Sequence, residues 1–201
     1  MRTEKAISDL AEIRLRLQMI DARAAFRCFS LLISAFVFVI AAFAQPIMGQ
    51  TVDGGQRYVS YWLVVVLACS IGIALEVWWR SVSTRSRITF EWSRQIATAM
   101  LPVLSVAALT TWAMMSEPQL AKMLPGFWAI FAGLAVISAG KLLPSICQLA
   151  CVWWIIGGAL TIRLNELFAE NLVLTMSLLF GAGQLLLAIC LFAGVSARDE
   201  A

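Results

Sequence analysis

Six long runs of apolar residues, almost free of charge, decide what this chain can become. They cover about residues 27–45, 58–79, 95–115, 119–139, 142–161 and 171–195. Each is near the roughly 20 residues that a helix needs to cross the hydrocarbon core of a bilayer. Together they use up most of the 201 residues, so no room is left for a separate soluble domain. Charged residues make up 13% of the chain and its mean hydropathy is +0.86. A soluble domain carries roughly 25% charged residues. The sequence therefore predicts an all-α, polytopic membrane bundle of six transmembrane helices. An N-terminal cytoplasmic amphipathic helix (1–26) precedes it and a short tail (196–201) follows.

The basic residues give the threading. Arg2, Lys5, Arg14, Arg16, Arg23 and Arg27 precede the first run, and Arg80, Arg85, Arg87 and Arg94 separate the second from the third. Lys141 and Arg198 fall on the same side by alternation, whereas only Arg57, Lys122 and Arg163 fall on the other. Basic residues collect on the cytoplasmic face of short loops, which places both termini in the cytoplasm. The expected location is a bacterial inner membrane. The net charge of +3 is thus a matter of topology and anionic headgroups, and no nucleic-acid partner is implied. Ala42-Phe43-Ala44 resembles a signal-peptidase site, but the segment before it is long and mixed in charge, with Glu4, Asp9, Glu12 and Asp21. A leader has a short, basic start, so the first run reads as a retained span.

Residues 7–25 carry a stripe of Leu10, Ile13, Leu17, Ile20 and Ala24 at helical spacing. Ser8 suits an N-cap and Glu12 can pair with Arg16. Such a helix lies on the inner leaflet or docks a cytoplasmic or membrane protein partner. Turn formers mark 46–57 as the external loop, and the basic 80–94 segment is the main internal one, its end running helically into the third span. Tyr58, Tyr61, Trp62, Trp78, Trp79 and Trp112 fall where an interfacial aromatic belt is expected. Pro102 should kink the third span.

Small residues mark helix–helix seams in membranes. Span six offers Ser177, Gly181, Gln184 and Ala188 on one face. Span four offers Gly126, Ala129, Gly133 and Gly140, and span two offers Ala68, Gly72 and Glu76. The candidate intramembrane polar residues are Glu76, Gln148 and Gln184. A buried amide must find partners, so Gln184 is either a hydrogen-bonded tie between helices or a solute contact. An intramembrane carboxylate is a functional candidate by default. Glu76 also has candidate ion-pair partners in Arg80 and Lys141. Whether the three polar residues meet stays open at this level.

The cysteines (Cys28, Cys69, Cys147, Cys151 and Cys190) sit within or at the edges of apolar runs and read as small buried hydrophobes. With no histidine in the chain, no cofactor or metal site and no enzyme chemistry is expected. The sequence carries no hydrolase elbow, phosphate loop or paired carboxylate set.

Several stretches resemble a family of uncharacterised small bacterial membrane proteins. They are EWSRQ (91–95), MLPVL (100–104), LPGFWAIFAGLAVISAGK (124–141) and LLFGAGQLLLAI (178–189), with EIRLRLQMID (12–21) at the head. Gln184 stands where that family more often has histidine, so a titrating imidazole is not available here. The resemblance implies a membrane-linked regulatory role. The leading expectation is a non-enzymatic interaction or sensing component. The alternative is a small transporter or channel with a polar path past Glu76, Gln148 and Gln184. Substrate, effector and oligomeric state are not encoded in any motif.

The threading is directly testable. Reporter fusions after Asp53 should report the periplasm and fusions after Arg85 the cytoplasm. Both reporters on one side would overturn the six-span reading.

Overall fold

The chain folds into antiparallel helices because each apolar run must satisfy its backbone internally, and the short links leave little choice but to turn straight back. The computed structural model describes residues 29–47, 56–84, 87–140 and 142–199. The stripe at 7–25, Lys141, Arg85, Cys28 and most of the 46–57 loop lie outside the described residues, as does the side chain of Arg80. Among the described residues, five helices are long and apolar enough to cross a membrane. They lie in α1 (Phe29–Ile47), α2 (Gln56–Thr84), α3 (Arg87–Met114), α5 (Gln148–Arg163, continuing a 3₁₀ turn at Ser145–Cys147) and α6 (172–199). Between them α4 (Leu124–Ser138) is apolar but only 15 residues long. At 1.5 Å per residue it spans about 22 Å, short of the roughly 30 Å hydrocarbon core. A single turn at Pro118–Ala121 precedes it. The protein is an all-α, multi-pass membrane bundle.

Two expected loops are largely helical. The internal segment 80–94 is divided between the end of α2, which runs to Thr84, and the start of α3 at Arg87. The sequence there carries no glycine or proline, so nothing stops either helix earlier. The link after α5 contains a short helix, Asn165–Glu170.

Neighbours in sequence are neighbours in space, and α1 also packs on α6, which closes the order into a ring. The tightest pairing is α4 with α5. A Cβ on Gly126 would lie 2.6 Å from Ile162 Cγ1 and 2.7 Å from the Gly158 carbonyl oxygen, and one on Gly158 would lie 2.5 Å from the Gly126 oxygen. A Cβ on Gly133 would lie 3.0 Å from the Cys151 oxygen. The seam expected at Gly126, Ala129 and Gly133 is therefore a backbone-to-backbone contact, as small residues permit. Gly140 is exposed at the helix end and takes no part in it.

Span six departs from the one-sided helix expected of it. Half of its most apolar window is buried, and Leu179, Phe180, Leu187 and Leu191 join the core. The reason lies in its backbone. Between Leu172–Met176 and Gly183–Asp199, the residues Ser177–Ala182 form a π-helix. The wider turn breaks the α-helical register on which a single stripe depends. A Cβ on Gly181 would lie 2.6 Å from Val39 Cγ2 of α1, while one on Gly183 would run into the Trp154 indole of α5. Phe-Gly-Ala-Gly thus fits between two helices because each glycine faces a different one.

Glycine contacts give a differential test. Gly158→Ala forces a Cβ against the α4 backbone and should destabilise by about 1–3 kcal/mol, the usual range for overpacking. Gly72→Ala meets nothing within 4 Å and should be neutral or gain up to about 1 kcal/mol from helix propensity. Thermal unfolding in detergent separates the two, and equal effects would contradict the packing described.

Candidate functional site

Two serines one turn apart on α1, Ser30 and Ser34, sit at the place where α1, α2 and α6 come together. The Ser30 backbone N–H donates to Glu76 Oε2 of α2 at 2.7 Å. Ser34 is buried, and its Oγ donates to Gln184 Oε1 of α6 at 2.6 Å. The Ser34 hydroxyl also lies 2.9 Å from the Leu31 carbonyl oxygen, so its one proton has two acceptors within reach. Glu76 and Gln184 therefore converge on the same short stretch of α1. The Ser30 hydroxyl oxygen, by contrast, is buried with no hydrogen-bond partner.

A cavity of about 470 Å³ lies between α1 and α2, bounded in part by Ser30, Ser34, Val37, Cys69, Gly72 and Glu76. The spacing of Ala68, Gly72 and Glu76 places them on one face, as the sequence indicates, but this face lines the cavity instead of a tight seam. A Cβ at Gly72 would meet nothing within 4 Å. The small residues of span two make room; they do not bring helices together.

Gln148 lies elsewhere. It is exposed and lines a second cavity of about 280 Å³ between α4 and α5, beside Gly140, Cys147 and Cys151. The three polar residues named from the sequence thus divide into a pair joined through α1 and a separate residue. Their expected ion-pair partners, Lys141 and the Arg80 side chain, lie outside the described residues. Cys147, Cys151 and Cys190 are buried free thiols. Among the described residues no group of three or more histidine, cysteine or acidic side chains is placed to hold a metal ion.

The opposite end of α1 and α2 is built from aromatic rings. Tyr58 and Trp62 are 0% and 1% exposed, so they belong to the core and not to an interfacial belt. Trp62 Nε1 donates to Gln45 Oε1 at 3.1 Å, and Tyr61 Oη donates to the Ala41 carbonyl at 2.6 Å. Phe38 stacks between Trp62 and Phe180, with ring centroids 5.9 and 5.4 Å apart. Tyr58 stacks on Trp128, whose Nε1 donates to Thr111 Oγ1 at 2.8 Å. Trp78, Trp79 and Trp112 are exposed, as a belt requires. Burial of an indole N–H inside a bundle needs an acceptor, and Gln45 supplies one.

Sequence reasoning missed Ser30, Ser34 and Gln45. The signal was present: two serines four apart within an apolar run, and a glutamine at its far end.

Comparison of the chain with protein-family models, with curated proteins and with solved structures finds no match. The structure shows a many-span helical fold, and no family follows from it or from these comparisons.

The Ser34–Gln184 bond invites a double-mutant cycle. Gln184→Leu should lower stability by about 0.6–2 kcal/mol, the range for hydrogen bonds between membrane helices. Ser34→Ala should cost a similar amount, and the double variant little more than either single one. Gln184→His should be tolerated better than leucine, since imidazole also bonds across helices. Fully additive losses would show that the two side chains do not act together.

Proposed function

We propose that this protein is a membrane-embedded, non-enzymatic sensing or interaction component of a bacterial inner membrane. It would cross six times with both termini in the cytoplasm. The antiparallel pairing of α4 with α5, seen in the reciprocal Gly126 and Gly158 contacts and in Gly133 against Cys151, supports counting the short α4 as a crossing. The 12-to-3 distribution of basic residues supports the orientation. The amphipathic stripe at 7–25 and the basic segment joining α2 to α3 would then form the cytoplasmic face, on anionic headgroups or against a partner protein.

One observation carries this reading over the transport alternative. Glu76 and Gln148 line two separate cavities and Gln184 lines neither, while side chains fill the contacts among α1, α5 and α6. Gly181 is against Val39, Gly183 against Trp154, and Phe38 against Phe180. A solute path past Glu76, Gln148 and Gln184 would have to break that packing. Intramembrane charge of the kind that ion-coupled transporters use is also scarce.

Thiol accessibility tests the reading. In a background without native cysteines, Gln184→Cys should resist charged, water-soluble thiol reagents from either side, while Ser138→Cys at the end of α4 should react. Labelling of Gln184→Cys would mean water reaches the middle of α6 and would support a transport path instead. Leu17→Glu tests the cytoplasmic face: it should release a bound partner protein without preventing insertion. A partner retained by the variant would remove the docking role of the stripe.

A further inference from the structure

A helix bonded from residue i to i+5 carries one residue more in each closed turn than one bonded from i to i+4. In α6 that surplus sits in Ser177–Ala182. At its end the Gly183 N–H donates to the Phe180 carbonyl, where an α-helix would direct it to Leu179. The Trp154 indole of α5 takes the vacated place, its Nε1 donating to the Leu179 carbonyl at 2.8 Å. Trp153 Nε1 donates to the Leu178 carbonyl at 3.1 Å. The donors that make up for the interrupted ladder thus come from another helix.

Each of these bonds has a substitute close at hand. If the Gly183 N–H returns to Leu179, that carbonyl keeps a donor and the indole is released. The Ser177 hydroxyl oxygen is buried without a partner, so the same segment holds an acceptor that the π form does not use. Trp154 occupies the space beside Gly183, and a turn of α6 that carries Gly183 away displaces the ring. Trp153 is 41% exposed, so the pair can be reached from the bilayer. One residue further on, Gln184 is tied to α1 through the Ser34 hydroxyl, whose proton has a second acceptor in the Leu31 carbonyl at 2.9 Å. Releasing Gln184 therefore strands no proton on Ser34. Backbone groups exchange partners instead of losing them.

We propose that α6 has two registers, and that Trp153 and Trp154 are the latch that holds the π form. Opening the latch closes Ser177–Ala182 into α-helix. The part from Gly183 to Asp199 then turns by about one residue step, roughly 100°, relative to Leu172–Met176. That turn breaks the Ser34–Gln184 bond and rotates the end of α6 that leads into the tail. Shifts of one helix against its neighbours are an established form of switching. The inference deepens the sensing reading by naming its moving element, and it rests on that reading.

Pulsed dipolar spectroscopy of the full chain in nanodiscs tests it, in a background without native cysteines. The spin labels sit at Leu149→Cys on α5 and Ala193→Cys on α6, both exposed positions. With no further change the pair should give the distance of the π form. Trp154→Phe keeps a ring and removes the donor, whereas Gly183→Ala pushes the indole aside by its Cβ. By these different routes both should populate the same second distance, shifted by several ångström, since an atom on the helix surface travels about 8 Å in such a turn. Deleting Ala182 removes the surplus residue and lets the flanking segments join as continuous α-helix. The deletion should keep the original distance and no longer respond to Trp154→Phe. The proposal is overturned if either substitution leaves the distance unchanged, if the two broaden it without sharing a second one, or if the deletion variant responds as strongly as the full chain. Unfolding by any of the three changes overturns it as well, since an even exchange of partners leaves the fold intact. A fixed register, with Gln184→Cys still inaccessible, removes the moving element and leaves the sensing reading in place. Labelling of Gln184→Cys removes that reading whatever α6 does.

Discussion

The fold depends on α6 being accepted between α1 and α5, and that depends on six residues of π-helix. In a bilayer there is no water to take up an unsatisfied carbonyl. Widening the helical repeat over Ser177–Ala182 removes the ordinary four-residue ladder. Two tryptophans of α5 supply donors at this place. Trp153 Nε1 bonds the Leu178 carbonyl at 3.1 Å, and Trp154 Nε1 bonds the Leu179 carbonyl at 2.8 Å. The same Trp154 ring occupies the space that Gly183 leaves open. Irregular backbone, two indoles and two glycines therefore form one unit: the π-helix sets the glycines, the glycines admit the neighbours, and the neighbours satisfy the π-helix.

The α1–α2 hairpin follows a different logic. Its two ends are closed by hydrogen bonds, Trp62 to Gln45 at one and Ser30 to Glu76 at the other. Between the ties the helices stand apart and leave the groove beside Gly72. Interhelical hydrogen bonds in membranes are worth about 1 kcal/mol each, so they fix which residues face one another more than they hold the bundle together. The larger share comes from dispersion along the glycine seams, where atoms meet without side chains between them. That division explains how a bundle can be firm along α4, α5 and α6 and open between α1 and α2.

How far the sequence was legible follows from the same physics. The many-span helical class was readable because bilayer thickness acts on composition alone. The α4 seam was readable because Gly126, Ala129 and Gly133 keep α-helical spacing. Gln184 was readable as an amide needing an acceptor or donor on another helix, though Ser34 as its partner was not, since pairing across about 150 residues leaves no local trace. The face read in span six covers only part of what is buried: Gly181, Gln184 and Ala188 do meet protein, but Leu179, Phe180, Leu187 and Leu191 are buried too, because periodicity presumes 3.6 residues per turn and the π-helix does not keep it. Tyr58 and Trp62 were misplaced because ring position along a span is the same for a belt residue and a core residue. Only the neighbouring Gln45 and Phe38 distinguish them.

Helix α4 has an effect beyond the bundle itself. Its neighbours α3 and α5 are long enough to match a bilayer, but its own apolar length is about 22 Å from 15 residues. Lipids touching Leu134 and Ile137, which are 39% and 50% exposed, meet a shorter wall than lipids around α1 or α2. Mismatch of that kind costs fractions of a kcal/mol per Å and is relieved by local thinning of the leaflets. Counted as a crossing, α4 would give the bundle a thin-membrane edge on one flank that favours shorter-chain lipids. The lipid environment would then be sorted by thickness around the circumference of the bundle.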